Sequence, residues 1–358
     1  MIELQGKYNK AKVFTDIIET EAMSQIINLL NQPFSKDAQI RIMPDVHAGK
    51  GCTIGFSANL VDIAIPNLVG VDIGCGVLVA NIGDIDIDFE KLDNFIRNNI
   101  PHGFGINQEE ANFPLLNQLR MYKQLNNVSR IKQSLGSLGG GNHFIEIAKG
   151  DNNKYLLIHS GSRNLGKQVC EYYQNLAVET CTESVKGLEY LTGQNRLDYL
   201  HDMQITQQYA TQNRVMMAIK ILDFLGIPDY DIFQSIHNYI DENNMIRKGA
   251  ISAKKDELMV IPLNMKDGSL ICKGLGNKDW NETAPHGAGR IMSRSKAKKE
   301  ISLEDFQEIM EGIYSTSVSK NTIDEAPFAY KDKQIIIDAI GETAEIIEHI
   351  EPIYNFKA

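Results

Sequence analysis

The chain has 358 residues, 43% of them hydrophobic, and a formal net charge of −10, a composition typical of a globular protein. The sequence has no apolar run long enough to span a membrane, we expect no signal peptide, and the acidic balance argues against a protein that wraps nucleic acid non-specifically. Five cysteines, an odd number, favour a reducing, cytoplasmic compartment over a disulfide scaffold.

The hydrophobic pattern predicts helices and strands that alternate without the regular order of a doubly wound sheet. No glycine-rich nucleotide fingerprint sits on a strand-to-helix turn, and no flexible linker divides the chain. We therefore predict a single large α+β domain over residues 1–358. The predicted helices cover 16–30, 88–99, 112–134, 164–183, 196–225, 302–313 and 333–350, and the predicted strands cover 39–44, 77–82, 142–148, 154–159, 231–240, 258–263 and 269–275.

Five residues in or beside short strands and glycine-rich turns could hold metal. Asp72 and Cys75 lie in the turn NLVGVDIGCG, and His143, His159 and His237 lie at glycine turns or in short strands. A single such histidine is more often a core residue, but the five together favour a metal site. Thiolate and imidazole suit zinc, iron or manganese, and five ligands could serve two metals with open positions, an arrangement suited to phosphoryl chemistry.

The segment TAPHGAGRIMSR (283–294) places His286 before three small residues and a run of basic ones. We expect these glycines to open a helix whose N-terminus favours phosphate, with Arg290 and Arg294 on one helix face. His286 could then be a nucleophile toward phosphorus, or it could simply cap the helix. The basic run over 290–299 could equally be a solvated helix face.

Taken together, these motifs resemble the RtcB family of GTP-dependent RNA ligases, from about residue 40 to the C-terminus. The resemblance implies an RtcB-like fold with a central metal- and GTP-binding cleft. It is carried by MPDVHAGKG (43–51), GVDIGCG (70–76), LGGGNHFIE (138–146), HSGSRNLG (159–166), HNY (237–239), RKGAISA (247–253), HGAGRIMSRSKAKK (286–299) and DEAPFAYKD (324–332).

The resemblance also implies a role for each site residue. His286 attacks the α-phosphate of GTP and becomes guanylylated, and Arg163 and Arg290 hold RNA or phosphate. Cys75 bridges two Mn²⁺ ions. The implied metal ligands are Asp72, Cys75, His143, His159 and His237. The implied GTP contacts are Asn142, Glu146, Asn264, Ala288, Gly289, Arg290 and Lys357. Of these contacts, Glu146 and Lys357 are implied to bind guanine.

The implied reaction joins an RNA 3′-phosphate or 2′,3′-cyclic phosphate to a 5′-hydroxyl, in RNA repair or tRNA splicing. We expect a monomer without membrane contact, and the sequence leaves open whether an activating protein is needed. The turn IPLNMKDG (261–268) departs from the commonest family pattern, which puts triphosphate contacts by Asn264 and Lys266 in doubt. Two rival hypotheses are a dinuclear metallophosphoesterase that acts on RNA ends and a catalytically silent RNA-binding protein.

Overall fold

The computed structural model describes residues 1–49 and 51–358 and has a mixed α/β architecture with two large sheets. Lys50, inside the motif MPDVHAGKG, lies outside the described residues. The strands are β1 (Ile2–Gln5), β2 (Lys10–Val13), β3 (Ile40–His47), β4 (Ile54–Asn59), β5 (Gly76–Gly83), β6 (Phe144–Lys149), β7 (Lys154–Ser160), β8 (Ile232–Ile236), β9 (Asn238–Ile240), β10 (Met245–Lys248), β11 (Ala250–Ser252), β12 (Leu258–Asn264), β13 (Gly268–Gly274), β14 (Thr283–Pro285) and β15 (Ala344–Phe356).

The helices surround these sheets and supply much of the apolar core. Within the described part of the chain, no helix combines the length and apolarity that crossing a membrane requires. The α-helices are α1 (Thr20–Leu30), α2 (Phe89–Asn99), α3 (Val128–Gln133), α4 (Arg163–Thr180), α5 (Gly193–Leu225), α6 (Arg294–Glu300), α7 (Leu303–Ile309) and α8 (Lys333–Ala339).

The first sheet has six strands in the order β1-β2-β3-β4-β10-β9, and the second has seven in the order β12-β13-β15-β6-β7-β5-β8. The two edge strands of the second sheet contact each other. The backbone N–H of Val260 in β12 donates to Ser235 Oγ in β8 at 2.9 Å. Strand β5 of this sheet is buried on both faces, so it appears in the sequence as the continuous apolar run VLVA.

The predicted helix over 333–350 is wrong in its second half. The helix α8 ends at Ala339, and Ala344–Phe356 forms β15, which lies between β13 and β6 in the middle of the larger sheet. The segment is rich in isoleucine, whose branched side chain suits a strand, and both neighbouring strands provide hydrogen-bond partners for its backbone. The spacing of its apolar residues alone could not reveal those partners.

Two other predicted elements are broken up in the structure. In place of the predicted helix over 112–134, the structure has two short 3₁₀ helices followed by α3. Pro114 begins the first 3₁₀ helix, and Asn127, at a φ of 53°, caps α3. The predicted strand over 231–240 is divided at His237 into β8 and β9, which belong to different sheets. His237 therefore marks the point where the chain crosses from one sheet to the other.

The long helix α5 is tied to the larger sheet by a buried arginine. Arg214 donates to the backbone oxygens of Gly74 and Ser160 at 2.8 and 2.7 Å and to Gln234 Oε1 at 2.8 Å. Burial lowers the pKa of its guanidinium to about 10, so the group remains charged at neutral pH. The neighbouring Asn213 donates to the backbone oxygen of Gly161 at 3.2 Å.

We predict that Arg214→Leu lowers the free energy of unfolding by about 2–4 kcal/mol, because the substitution leaves several buried acceptors without a donor. Urea unfolding of the purified variant measures the loss. Arg120→Leu makes the same chemical change on a side chain that is 61% exposed, and we expect it to change stability by less than about 0.5 kcal/mol. Equal effects of the two substitutions would contradict the anchoring role of Arg214.

Candidate metal and nucleotide site

The four strands β5, β6, β7 and β8 bring the predicted metal ligands to one edge of the larger sheet. Gly76, at the start of β5, pairs with Ser160 at the end of β7 and with Ile236 at the end of β8. Phe144, at the start of β6, pairs with His159. Because these strands are antiparallel, residues that precede or follow them in distant parts of the sequence meet at the same edge.

The side chains of the five predicted ligands converge at this edge. Cys75 Sγ lies 3.4 Å from His143 Nε2 and 3.3 Å from His159 Nε2. His159 Nε2 lies 3.5 Å from His237 Nε2, and His143 Nε2 lies 3.1 Å from Asp72 Oδ2. The ligand atoms form two groups, each with all its atoms within 4.8 Å of one another, and Cys75 is the member that the two groups share.

The chemistry of this cluster suits a metal. Burial lowers the pKa values of His159 and His237 well below the usual range, so both imidazoles are neutral and have a lone pair to donate. Partial burial opposes ionisation of Asp72, yet its hydrogen bond with His143 lowers its pKa to about 2. Burial raises the pKa of the Cys75 thiol, and a bound cation would favour the thiolate. These donors fit a metal cation.

Two glycines allow the ligand segments to approach closely. A Cβ on Gly161 would lie 2.0 Å from Asp72 Oδ1, and a Cβ on Gly139 would lie 2.0 Å from His143 Nδ1 and 2.5 Å from a guanidinium nitrogen of Arg163. Neither position leaves room for a side chain. The glycines of the HSGSR and LGGGNH motifs are therefore required by packing against the cluster.

His286 lies beside this cluster and is oriented by a buried carboxylate. Its Nδ1 donates to Asp45 Oδ2 at 2.6 Å, and its backbone N–H donates to the same oxygen at 3.2 Å. Since Nδ1 carries the proton in this hydrogen bond, Nε2 holds the lone pair of the neutral ring. The ring centroids of His286 and His237 are 4.8 Å apart. A reactive nitrogen is thus fixed next to the candidate metal site.

A cavity of about 620 Å³ opens beside His286. It is lined by residues of both large sheets and of the loops that follow β14. Every predicted GTP contact lies on its wall, together with His286 and two of the predicted metal ligands: Asn142, Glu146, His159, His237, Asn264, His286, Ala288, Gly289, Arg290 and Lys357.

Glu325 gathers three cationic side chains at the wall of this cavity. Its carboxylate accepts from Lys357 Nζ at 3.1 Å, from Arg290 at 3.4 Å and from Arg294, and it also accepts from the Tyr330 hydroxyl at 2.6 Å. Burial opposes its ionisation, but Lys357 and Arg294 lower its pKa to about 2. A buried anion therefore holds the positive groups that face the cavity.

Glu146 has the opposite electrostatic setting on the same wall. Burial raises its pKa to about 8, although Asn355 Nδ2 donates to Glu146 Oε2 at 2.8 Å and Lys357 lies near enough to lower the pKa. The carboxyl is thus largely protonated at neutral pH. A ligand that offers N–H donors would favour its ionised form.

Three of the predicted contacts are arranged differently from expectation. Arg290 is not on a helix: it pairs with Tyr330 as an isolated bridge, and α6 begins only at Arg294, so the glycines after His286 do not open a helix. The Asn264 side chain bonds within its own turn, to Asp267, and Lys266 Nζ donates to the backbone oxygen of Glu311. The prediction that a helix begins at residues 287–289, directly after His286, is therefore wrong.

Arg163 lies outside the cavity. It begins α4 at a φ of 55°, which is uncommon for a residue with a side chain. Its guanidinium donates to the backbone oxygen of Gly103 at 2.7 Å and to Ser137 Oγ at 3.2 Å, and it packs against Gly139 beside His143. It is therefore adjacent to the predicted metal ligands but does not line the cavity beside His286.

The sequence interpretation did not assign roles to Asp45, Glu325 or Lys331. Lys331 Nζ donates to the backbone oxygens of Pro44 and Val46 at 2.8 and 2.9 Å, and so fixes the strand on both sides of Asp45. All three residues lie in motifs that carried the family resemblance, MPDVHAGKG and DEAPFAYKD. The signal was present, but only the fold brings these motifs beside His286.

Comparisons with known proteins show the family of this chain. A family model described as tRNA-splicing ligase RtcB matches residues 25–128 and 117–358. The chain is 32% identical to the RNA-splicing ligase RtcB of Escherichia coli K12, over 95% of each chain, and 26% identical to the tRNA-splicing ligase RtcB of Archaeoglobus fulgidus, over 94% of this chain and 91% of that one. The chain therefore belongs to the RtcB family.

Proposed function

We propose that this protein is an RNA ligase that uses GTP and two Mn²⁺ ions to join an RNA 3′-phosphate or 2′,3′-cyclic phosphate to a 5′-hydroxyl, in RNA repair or tRNA splicing. The observation that carries the proposal is the pair Asp45–His286, in which the carboxylate binds Nδ1 and leaves Nε2 as the nitrogen available for attack, between the cavity and the Cys75-centred cluster. The names of the related proteins support the same reaction class.

In the first step His286 Nε2 attacks the α-phosphorus of GTP. An N–P bond forms, the bond to the β-phosphate oxygen breaks, and pyrophosphate leaves. Asp45 keeps the proton on Nδ1 and stabilises the positive charge that the ring gains, as a buried carboxylate does beside a catalytic histidine. Arg290 and Arg294, held by Glu325 on the cavity wall, are placed to stabilise phosphate charge.

In the later steps the guanylyl group passes from His286 to the RNA 3′-phosphate, which breaks the N–P bond. The 5′-hydroxyl then attacks the phosphorus of the RNA 3′-phosphate, loses its proton and displaces GMP. Water first opens a 2′,3′-cyclic phosphate to this 3′-phosphate. Asp72, Cys75, His143, His159 and His237 would hold the two ions, which supply Lewis-acid charge stabilisation for the phosphoryl groups. A dinuclear phosphoesterase would need the metal ligands but would have no use for the Asp45–His286 pair.

We further propose that Glu146 and Lys357 recognise guanine. Glu146 lies in the cavity with its carboxyl close to Asn355, and the ionised form could accept two N–H donors from the edge of guanine. Because both large sheets line this cavity, we also propose that the chain acts as one domain around one cleft.

The central test is self-guanylylation. Purified protein incubated with α-labelled GTP and MnCl₂ should acquire an acid-labile label, and His286→Ala should acquire none. Asp45→Asn should lower the labelling rate by about 10²–10⁴-fold, because the ring is then free to adopt the wrong tautomer. His201→Ala, which alters a histidine outside the cavity, should label normally. Label on His286→Ala, or none on metal-loaded wild type, would contradict the proposal.

The metal proposal is tested by titrating Mn²⁺ into the metal-free protein in a calorimeter. We expect about two equivalents to bind, because the five ligands form two groups with a common thiol. Cys75→Ala should weaken both binding events, whereas Cys272→Ala, which alters a buried thiol in another part of the core, should leave both unchanged. A single equivalent in wild type would argue for one ion.

The guanine proposal predicts a pH dependence. Since burial raises the pKa of Glu146 to about 8, a nucleotide that needs the carboxylate must displace a proton below that pH. The affinity of His286→Ala for GTP should therefore fall up to about tenfold for each pH unit below 8 and level off above it. Measured by calorimetry between pH 6.5 and 8.5, the slope should disappear when Glu146→Gln is added. An unchanged slope in that double variant would assign the dependence to the nucleotide itself.

A further inference from the structure

The segment PHGFGIN (residues 101–107) presents an aromatic ring to solvent. Phe104 is 95% exposed, more than any other large hydrophobic residue that the structure describes. Single exposed apolar residues are common on protein surfaces. This ring is distinguished by how firmly its segment is held and by the charges beside it.

The PHGFGIN segment is anchored along its whole length. The backbone oxygen of Pro101 accepts from Leu138 N at 2.8 Å, and Gly105 N donates to His102 O at 2.9 Å in a tight turn. At the other end, Asn107 Nδ2 donates to the backbone oxygen of Leu135 at 2.7 Å. A fixed backbone that turns an aromatic ring outward offers a contact surface with little conformational entropy left to lose.

Two arginines bind the turn that carries the ring. Arg163 donates to the backbone oxygen of Gly103 at 2.7 Å, and Arg130 donates to that of Phe104 at 2.9 Å. Within the described part of the chain, neither guanidinium forms an ion pair with a carboxylate, although the Asp72 charge partly offsets the burial that lowers the pKa of Arg163. In a protein with a net charge of −10, two positive charges without ion pairs beside an exposed ring form a distinct local surface.

This surface adjoins the metal ligands. The Arg163 guanidinium packs against Gly139 together with the His143 ring, so one side chain links the PHGFGIN segment to the ligand cluster. None of residues 101–107 is among the residues that line the nucleotide cavity. A group bound on Phe104 would therefore reach the cluster from outside the cavity.

We propose that Phe104 is a stacking platform for an unpaired base of the RNA substrate, with Arg130 and Arg163 neutralising the adjacent phosphates. Aromatic rings beside arginines are a common means of holding single-stranded nucleic acid, and stacking tolerates any base because each has a π-face. The inference rests on the proposed RNA ligase function and adds a substrate contact to it. A protein partner on the same ring would not need the two arginine charges.

The test uses direct RNA binding, so that it does not depend on turnover. In the His286→Ala background, Phe104→Ala should weaken binding of a fluorescein-labelled RNA 10-mer with a 3′-phosphate, or of a 10-mer with a 5′-hydroxyl, by about 5–100-fold in fluorescence anisotropy. Phe104→Trp in the same background should bind the RNA as tightly as the protein that retains Phe104. Tyr230→Ala removes an exposed aromatic at the opposite end of the sheet and should leave binding unchanged.

RNAs with one abasic residue identify the stacked base. At one position near the end of the affected strand, the abasic RNA should bind wild type as weakly as normal RNA binds Phe104→Ala, and the two changes together should cost no more than either alone. Additive losses at every position, or unchanged RNA binding by Phe104→Ala, would overturn the inference and leave a protein partner or no partner for this ring.

Self-guanylylation separates this inference from the proposed function. In the otherwise unmodified protein, Phe104→Ala should acquire the GTP label within about twofold of the wild-type rate, since no RNA takes part, while its KM for RNA rises. If Phe104→Ala lost GTP labelling by the same factor as it lost RNA binding, the RNA-contact role would be overturned. If wild type does not acquire the label at all, the ligase proposal fails, and the anisotropy result still decides whether Phe104 binds RNA.

Discussion

The structure depends on bringing five electron-pair donors to one edge of a curled sheet. Cys75 Sγ, three imidazoles and the Asp72 carboxylate approach to between 3.1 and 3.5 Å, although most are buried and none brings a strong positive charge. The backbone hydrogen bonds of β5 to β8 and the buried Arg214 and Asn213 hold these segments together from behind. The surrounding fold thus maintains an arrangement of donors that a bound cation would stabilise directly.

Two buried carboxylates organise the other half of the site in contrasting ways. Asp45 has no exposed surface and accepts from both the ring and the backbone of His286, which fixes one orientation and one tautomer. Glu325 instead accepts from Lys357, Arg290 and Arg294, so the positive groups on the cavity wall are held in place around one carboxylate. Both arrangements favour preorganisation, because little has to move when charge develops.

Much of this site could be predicted from the sequence, since its residues lie in long motifs with rare combinations such as GVDIGCG and LGGGNH. The fold was predicted less well where pairing between distant segments decides. The apolar spacing in Ala344–Phe356 suits a helix as well as a strand, and only β13 and β6 select the strand. Similarly, the i,i+4 spacing of Arg290 and Arg294 suggested one helix face, whereas Glu325, more than 30 positions away in the sequence, brings them together.

On the proposed function, the turn over residues 138–142 separates two kinds of substrate contact. Asn142 lies on the nucleotide cavity, whereas Gly139 packs against Arg163 and lies next to the segment that carries Phe104. His143 follows directly in the chain and joins the metal cluster. A guanylyl group that leaves His286 and an RNA phosphate that enters past Arg163 would then meet at the cluster from different sides. This geometry gives a physical reason for the close glycine packing of that turn: a side chain at Gly139 would displace both the ligand His143 and the arginine that faces the RNA.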